Sequence, residues 1–190
     1  MKCIIIAILS LLFTTTLYAQ ETGYNPGAII TRDNERIEGL VKNVNLVPAR
    51  ILDNIKFKRG EGEKVTSYSP AELAAYEIND DLFVSKKDAD GFELFVKKFN
   101  TGKLQLYGAL VFDGTASYNV KYTPYIQLQG DPVIHLVGQL SFRKQMLSYL
   151  KDAPNLCKLI DEKELKWKDI SQIVALYNAE VGEQKPSRAY

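Results

Sequence analysis

Apolar and polar residues alternate along most of the chain, and the period changes towards its end. Ile55-Lys56-Phe57-Lys58 alternates at period two, as a strand with one buried face does. Ala28 to Thr31 and Arg36 to Lys42 flank the polar Arg32-Asp33-Asn34-Glu35, which predicts a hairpin. Tyr24-Asn25-Pro26-Gly27 carries turn chemistry just before it, since proline fixes φ and glycine admits positive φ. Gly60 to Glu63 reads as a loop, with Val65 to Tyr68 as its returning strand. Ser69-Pro70-Ala71-Glu72 has the form of a capping box and predicts a short turn of helix before alternation resumes at Tyr76. Leu82 to Val84 is a further strand. Phe92, Leu94 and Val96 share one predicted face, with Phe95 and Phe99 on the other. Asn100-Thr101-Gly102 turns the chain into a strand carrying Leu104, Leu106, Leu110 and Phe112. Ser117 to Tyr122, Tyr125 to Gln129 and Val133 to Val137 read as three more strands.

After Gly138 the spacing becomes helical. Phe142, Met146, Tyr149 and Leu150 form one stripe, with Ser141 as its cap, and Asp152-Ala153-Pro154 ends it. A second helix begins near Asn155, with Leu156, Leu159 and Ile160 on one face. A third begins near Asp169, where Asp169 and Gln172 resemble a capping box, and Gly182 ends it. Its stripe is Ile170, Ile173, Val174, Tyr177 and Val181. Strands followed by about three C-terminal helices predict an α+β fold whose antiparallel sheet forms a sandwich or a partly open barrel.

The first residues carry a secretory pattern. Lys2 supplies the positive end, Ile4 to Leu12 the apolar core, and Ala19 before Gln20 the cleavage point. That apolar run is about half of the ~20 residues a membrane-spanning helix needs, and no span is expected in the mature chain. The expected organisation is a signal peptide over 1–19, one domain over 20–182 with helices from about 141, and a polar tail over 183–190. Removing Lys2 leaves 23 basic and 23 acidic residues, a net charge of zero with histidine neutral. A neutral chain offers no electrostatic case for nucleic acid or for an anionic membrane surface. The mature chain keeps a single cysteine, Cys157, between Leu156 and Leu159 in sequence, so it forms no internal disulfide. Its flanks read as a buried thiol, and the alternative is a reactive thiol or an intermolecular bridge.

Chemical motifs are sparse. His135 is the single histidine, set among apolar neighbours, and reads as a packed strand residue; a dyad with Cys157 stays open. Zinc needs more ligands than these, and no metal or cofactor is expected. Ser141-Phe142-Arg143-Lys144 matches S-x-x-K without its companion motifs, and helix capping explains the serine. Asp88-Ala89-Asp90-Gly91 is a turn signal first and an incomplete calcium loop second. No catalytic residue is assigned. Tyrosine says more. Tyr118 and Tyr122 share a predicted face, and Tyr125 lies in line with Gln127 on the next segment. Exposed aromatics beside amides suit stacking on a sugar or contact with a protein, and strand propensity is the competing explanation.

Tyr24 to Thr31, Ile37 to Val41, Tyr68 to Leu73 with Tyr76 to Ile78, Thr101 to Tyr107, and Ile173 to Asn178 together resemble a family of uncharacterised secreted Bacteroidetes proteins. The resemblance implies an envelope location and no known activity. Some members resemble this domain followed by an outer-membrane β-barrel; this chain stops at Tyr190, and no barrel is expected. The expected function is a periplasmic or envelope protein that binds another envelope protein. The alternatives are a glycan- or small-ligand-binding domain, and a hydrolase with a site built from scattered residues.

Overall fold

Ten antiparallel strands in one continuous sheet precede three helices in the computed structural model, which describes residues 23–44, 54–112 and 120–183. The strands are β1 (Asn25–Thr31), β2 (Arg36–Val44), β3 (Asn54–Lys58), β4 (Thr66–Tyr68), β5 (Leu73–Ile78), β6 (Asp81–Lys87), β7 (Glu93–Lys98), β8 (Leu104–Phe112), β9 (Val120–Leu128) and β10 (His135–Leu136). Their order across the sheet is β10-β9-β8-β7-β6-β5-β1-β2-β3-β4. The helices are α1 (Phe142–Tyr149), α2 (Pro154–Asp161) and α3 (Ile170–Glu183). This is the α+β order expected. The strands form one sheet, so the two sheets of a sandwich are absent among the described residues. The sheet curls without closing: the Ile134 N–H donates to the Lys87 carbonyl at 2.9 Å, a single bridge back to the end of β6.

The β1–β2 hairpin turns on Asn34, whose φ of 64° suits asparagine better than most residues. The expected turn at Tyr24 to Gly27 is instead the start of β1, and two prolines explain how strands tolerate them. The Pro26 carbonyl accepts from Asn79 N–H, so its missing donor points to the side where β5 has ended. Pro124 interrupts the expected strands over 117–129, yet β9 runs through it. Its carbonyl accepts from Val137 N–H, so its missing donor faces the edge just beyond the two-residue β10. Gly27 is required by close approach: a Cβ there would lie 2.1 Å from the Glu77 carbonyl oxygen.

Five more expectations are corrected. Ser69 to Glu72 forms a turn without a helix. The Glu72 carboxylate accepts from Ser69 N–H, as in a capping box, but the Leu73–Ile78 strand pairs with β1 and β6 and claims the following residues. Val133 to Val137 is reduced to β10, because the Val133 N–H turns to the Asp131 carboxylate and the Ile134 N–H to the Lys87 carbonyl. The third helix is opened one turn earlier than Asp169 and Gln172 suggest. A 3-10 turn, Trp167–Asp169, leads into it, and Asp169 accepts from Lys166 N–H at 2.9 Å. Ser141 stands at the start of α1 but makes no capping bond through its side chain. Gly182 lies inside α3 rather than after it.

Apolar residues bury both faces of the central strands. Phe95 packs with Tyr76 and Phe83 on one face, and Leu94 and Val96 with Tyr107, Ala109 and Ile134 on the other. Strands covered on both sides lose simple alternation, which explains the near-continuous run in β7. Leu104, Leu106 and Ile126 carry the helices through Met146, Leu156, Ile160, Ile173 and Tyr177. Ala153 cannot cap α2 itself; the Glu180 carboxylate of α3 accepts from Asn155 and Leu156 N–H at 3.2 and 3.1 Å. Lys163, just past α2, holds φ at 63°, with its N–H on Ile160 and that of Glu164 on Leu159. Helix-closing positions of this kind favour glycine, and a lysine there costs about 1 kcal/mol.

Candidate binding surface

Trp167 stands where the sheet meets the helices. The 3-10 turn fixes its backbone, and its indole N–H donates to the Val137 carbonyl at 2.8 Å. Shallow depressions open on both sides of it. The sheet-side one, about 250 Å3, is lined by Phe99, Leu106, Tyr122, Pro124, Trp167 and Ile170 among others. Gly108 makes it possible: a Cβ there would meet the Phe99 ring at 2.7 Å and Tyr122 Cβ at 2.9 Å. Phe99 and Tyr122 meet edge to face, with ring centroids 5.3 Å apart. Lys97 Nζ lies 5.6 and 5.5 Å from the two centroids and pairs with Asp81 at 2.6 Å. Its hydrogen bond to Asp81 raises the Lys97 pKa, and burial raises that of Tyr122. The wall is therefore held in place before any ligand arrives.

The helix-side depression, about 310 Å3, has Phe142, Ile160, Leu165 and Trp167 as its floor and Leu140, Arg143, Lys163 and Lys166 at its rim. Leu140 is wholly exposed, at 105% of its reference area. Its loop is nonetheless held: Gln145 Nε2 donates to the Leu136 carbonyl at 2.6 Å, and Gly138 N–H donates to Gln145 Oε1 at 3.3 Å. Exposed large apolar side chains are ordinary when scattered and informative when gathered. Here Phe99, Tyr122 and Leu140 all border Trp167, and Leu136 lies next to the residue that holds it.

The tyrosine expectation divides. Tyr122 lines the sheet-side depression, 38% exposed. Tyr125 and Gln127 are not exposed beside it. Tyr122 and Tyr125 are three positions apart, an odd offset that puts them on opposite faces of one continuous strand. Tyr125 is buried with Leu94, Val96 and Ile134, and Gln127 is buried with its Nε2 donating to the Asp131 carbonyl at 2.7 Å. Tyr118, and Ala19 and Gln20 at the expected cleavage point, lie outside the described residues. Trp167 and Leu140 escaped the sequence reading. Trp167 is the chain's only tryptophan, a signal available from composition; Leu140 differed in nothing from a core leucine.

His135 is not merely packed among apolar neighbours. Its Nε2 meets Asp131 Oδ2 at 2.8 Å, and the same oxygen accepts from Tyr149 OH at 3.1 Å. Burial works against the Asp131 charge, but Val133 N–H, His135 and Tyr149 outweigh it and hold the carboxyl below its ordinary value. Burial first, then Asp131, pushes Tyr149 up to about 12. Asp131 and Tyr149 also tie down backbone, Asp131 accepting from Val133 N–H at 3.2 Å and Tyr149 OH from Leu128 N–H at 3.0 Å, so the cluster fixes the loop before β10. Cys157 is elsewhere engaged: its Sγ donates to the Leu150 carbonyl at 3.2 Å, and burial raises its pKa. Among the described residues no three or more His, Cys, Asp and Glu side chains group as a metal site, and no helix is long and apolar enough to cross a membrane. A wider depression of about 790 Å3 near Arg36, Glu38, Arg59 and Glu77 is polar, and Arg36 is committed there to both glutamates at 2.7 Å.

Compared with protein-family models, with curated proteins and with solved structures, the chain matches none.

Proposed function

We propose that this is an exported envelope protein that acts by binding another protein, and that the surface around Trp167 makes the contact. One observation carries the reading: exposed apolar side chains gather on both sides of a tryptophan that is already fixed in place. Covering Leu140 alone contributes about 2 kcal/mol to a complex. A rigid aromatic anchor loses little entropy on binding, as hot-spot residues do. Export rests on the pattern of Lys2, Ile4 to Leu12 and Ala19.

A second reading has support of its own. Four aromatic residues, Phe99, Tyr107, Tyr122 and Trp167, line the sheet-side depression, whose size of about 250 Å3 suits one sugar ring. Photocrosslinking in intact cells separates them, with p-benzoylphenylalanine at position 140 and, as a control, at position 65 beside the far edge strand. A discrete adduct with a second protein from position 140 and not from 65 is expected. Monomer alone, or the same adduct from both positions, would overturn the protein-binding reading. Glycan binding lost in Y122A, without any adduct, would establish the sugar instead.

A further inference from the structure

We propose that the helix-side depression docks an acidic segment of the protein partner, with an apolar side chain seated beside Trp167 and carboxylates on Lys163 and Lys166. The inference rests on the protein-binding reading and adds the chemistry of the partner.

The charge distribution carries it. The chain as a whole is close to neutral, yet the lining of this depression holds three cations and no acid. Arg143 pairs with Asp161. The ammonium groups of Lys163 and Lys166 pair with no carboxylate among the described residues; Asp169 takes only the backbone N–H of Lys166. The same stretch of chain contains acids, but they are directed elsewhere. Glu164 and Asp169 line the neighbouring depression, which also holds Lys168 and shares Leu165 and Lys166 with this one, and Glu162 lies 3.9 Å from Lys158. On this side the lining is left with a cationic rim around the apolar floor of Phe142, Ile160, Leu165 and Trp167. Such a rim favours acidic partners and disfavours basic ones.

Two further features fit. Lys163 occupies a left-handed backbone position that glycine would fill at lower cost, so a long cationic side chain stands there against the local preference. Leu140 stands at the rim of the depression with its side chain wholly exposed. A small amphiphile seated on the floor of a cavity of about 310 Å3 would leave most of Leu140 in water, whereas a protein segment crossing the rim covers it. An apolar anchor flanked by acids satisfies the floor and the rim together.

The single tryptophan makes occupancy directly visible, because Trp167 alone contributes indole fluorescence. The probe is a capped, tryptophan-free peptide, Glu-Glu-Leu-Glu-Phe-Glu-Glu, titrated into the mature protein. Its glutamine analogue, laurate and phosphatidylglycerol vesicles are titrated in parallel. A saturable change in Trp167 emission is expected with the acidic peptide. The glutamine analogue binds about tenfold more weakly, since each of two rim contacts contributes a factor of a few. K163E/K166E abolishes the response with an unchanged melting temperature, and K163R/K166R retains it. Equal binding of the glutamine analogue, no saturable change with the acidic peptide, or a response to laurate or vesicles alone each overturns the proposal. If the position-140 adduct persists in cells while the peptide test fails, only the acidic chemistry is wrong.

Discussion

Asn178 ties the last helix to the sheet through two hydrogen bonds to one residue. Its Oδ1 accepts from the Leu104 N–H and its Nδ2 donates to the Leu104 carbonyl, both at 2.8 Å. Gly102 leaves room for the amide, since a Cβ there would come within 2.7 Å of it. Leu104 is fully buried, so both backbone groups need a partner from within the protein. N178A removes the partner of the N–H and one of the carbonyl's two donors, since Asn100 Nδ2 also donates to that carbonyl at 3.0 Å and stays. Each bond contributes about 1 kcal/mol net, and an orphaned backbone group adds a desolvation cost, partly relieved by water reaching the half-buried site. The expected loss is about 2–3 kcal/mol, or roughly 5–10 °C in melting temperature for a chain of this size. N178D refines the test. A carboxylate still accepts from the N–H but faces the carbonyl with a second oxygen and no proton. That carboxyl is most stable protonated, so its folded pKa rises. The variant is best tolerated at acid pH and weakens as pH rises through that raised value. Urea unfolding monitored through Trp167, at pH 4 and pH 7, checks both. A loss below about 0.5 kcal/mol in N178A, or an N178D variant indifferent to pH, would refute the clamp.

The Tyr76 hydroxyl is fully buried without a hydrogen bond among the described residues, its ring stacked on Phe83, and its pKa driven well above 10 by burial. Y76F therefore stabilises the protein by about 1 kcal/mol in urea unfolding, and a loss of that size would contradict the unsatisfied hydroxyl. Asp131 and Asp152 are both held below the ordinary carboxylate value, burial opposing each charge and hydrogen bonds outweighing it. Depressed folded values mean that this stability is complete above the unfolded carboxylate range and is lost as pH falls through the folded values. D131N should flatten the fall of the urea midpoint below about pH 4; an unchanged acid slope would count against the assignment. Cys157, its pKa raised by burial first and by Glu180 and Asp152 next, should react with a thiol reagent far more slowly when folded than in urea; equal rates would show the thiol to be open.

Local pattern was enough for the class of fold and for most elements. Period two marked the strand around Ile55 to Lys58, polar Arg32 to Glu35 marked the first hairpin, and the stripe from Ile170 to Tyr177 marked the long helix. These signals are written in neighbours along the chain, because side-chain direction follows backbone period. Pro26, Pro124 and the Ser69 to Glu72 box misled for one reason. Proline and capping residues state what a backbone lacks or offers, and only the neighbouring strand decides whether that matters. At both prolines the missing N–H faces a place where no strand remains to receive it. The binding surface was still less legible. Leu140, Phe99, Tyr122 and Trp167 come from separate parts of the chain, and their exposure is set by which faces the sheet and helices leave uncovered. A hydrophobic residue's sequence neighbours say that it prefers burial; whether anything buries it is settled by packing between elements distant in sequence.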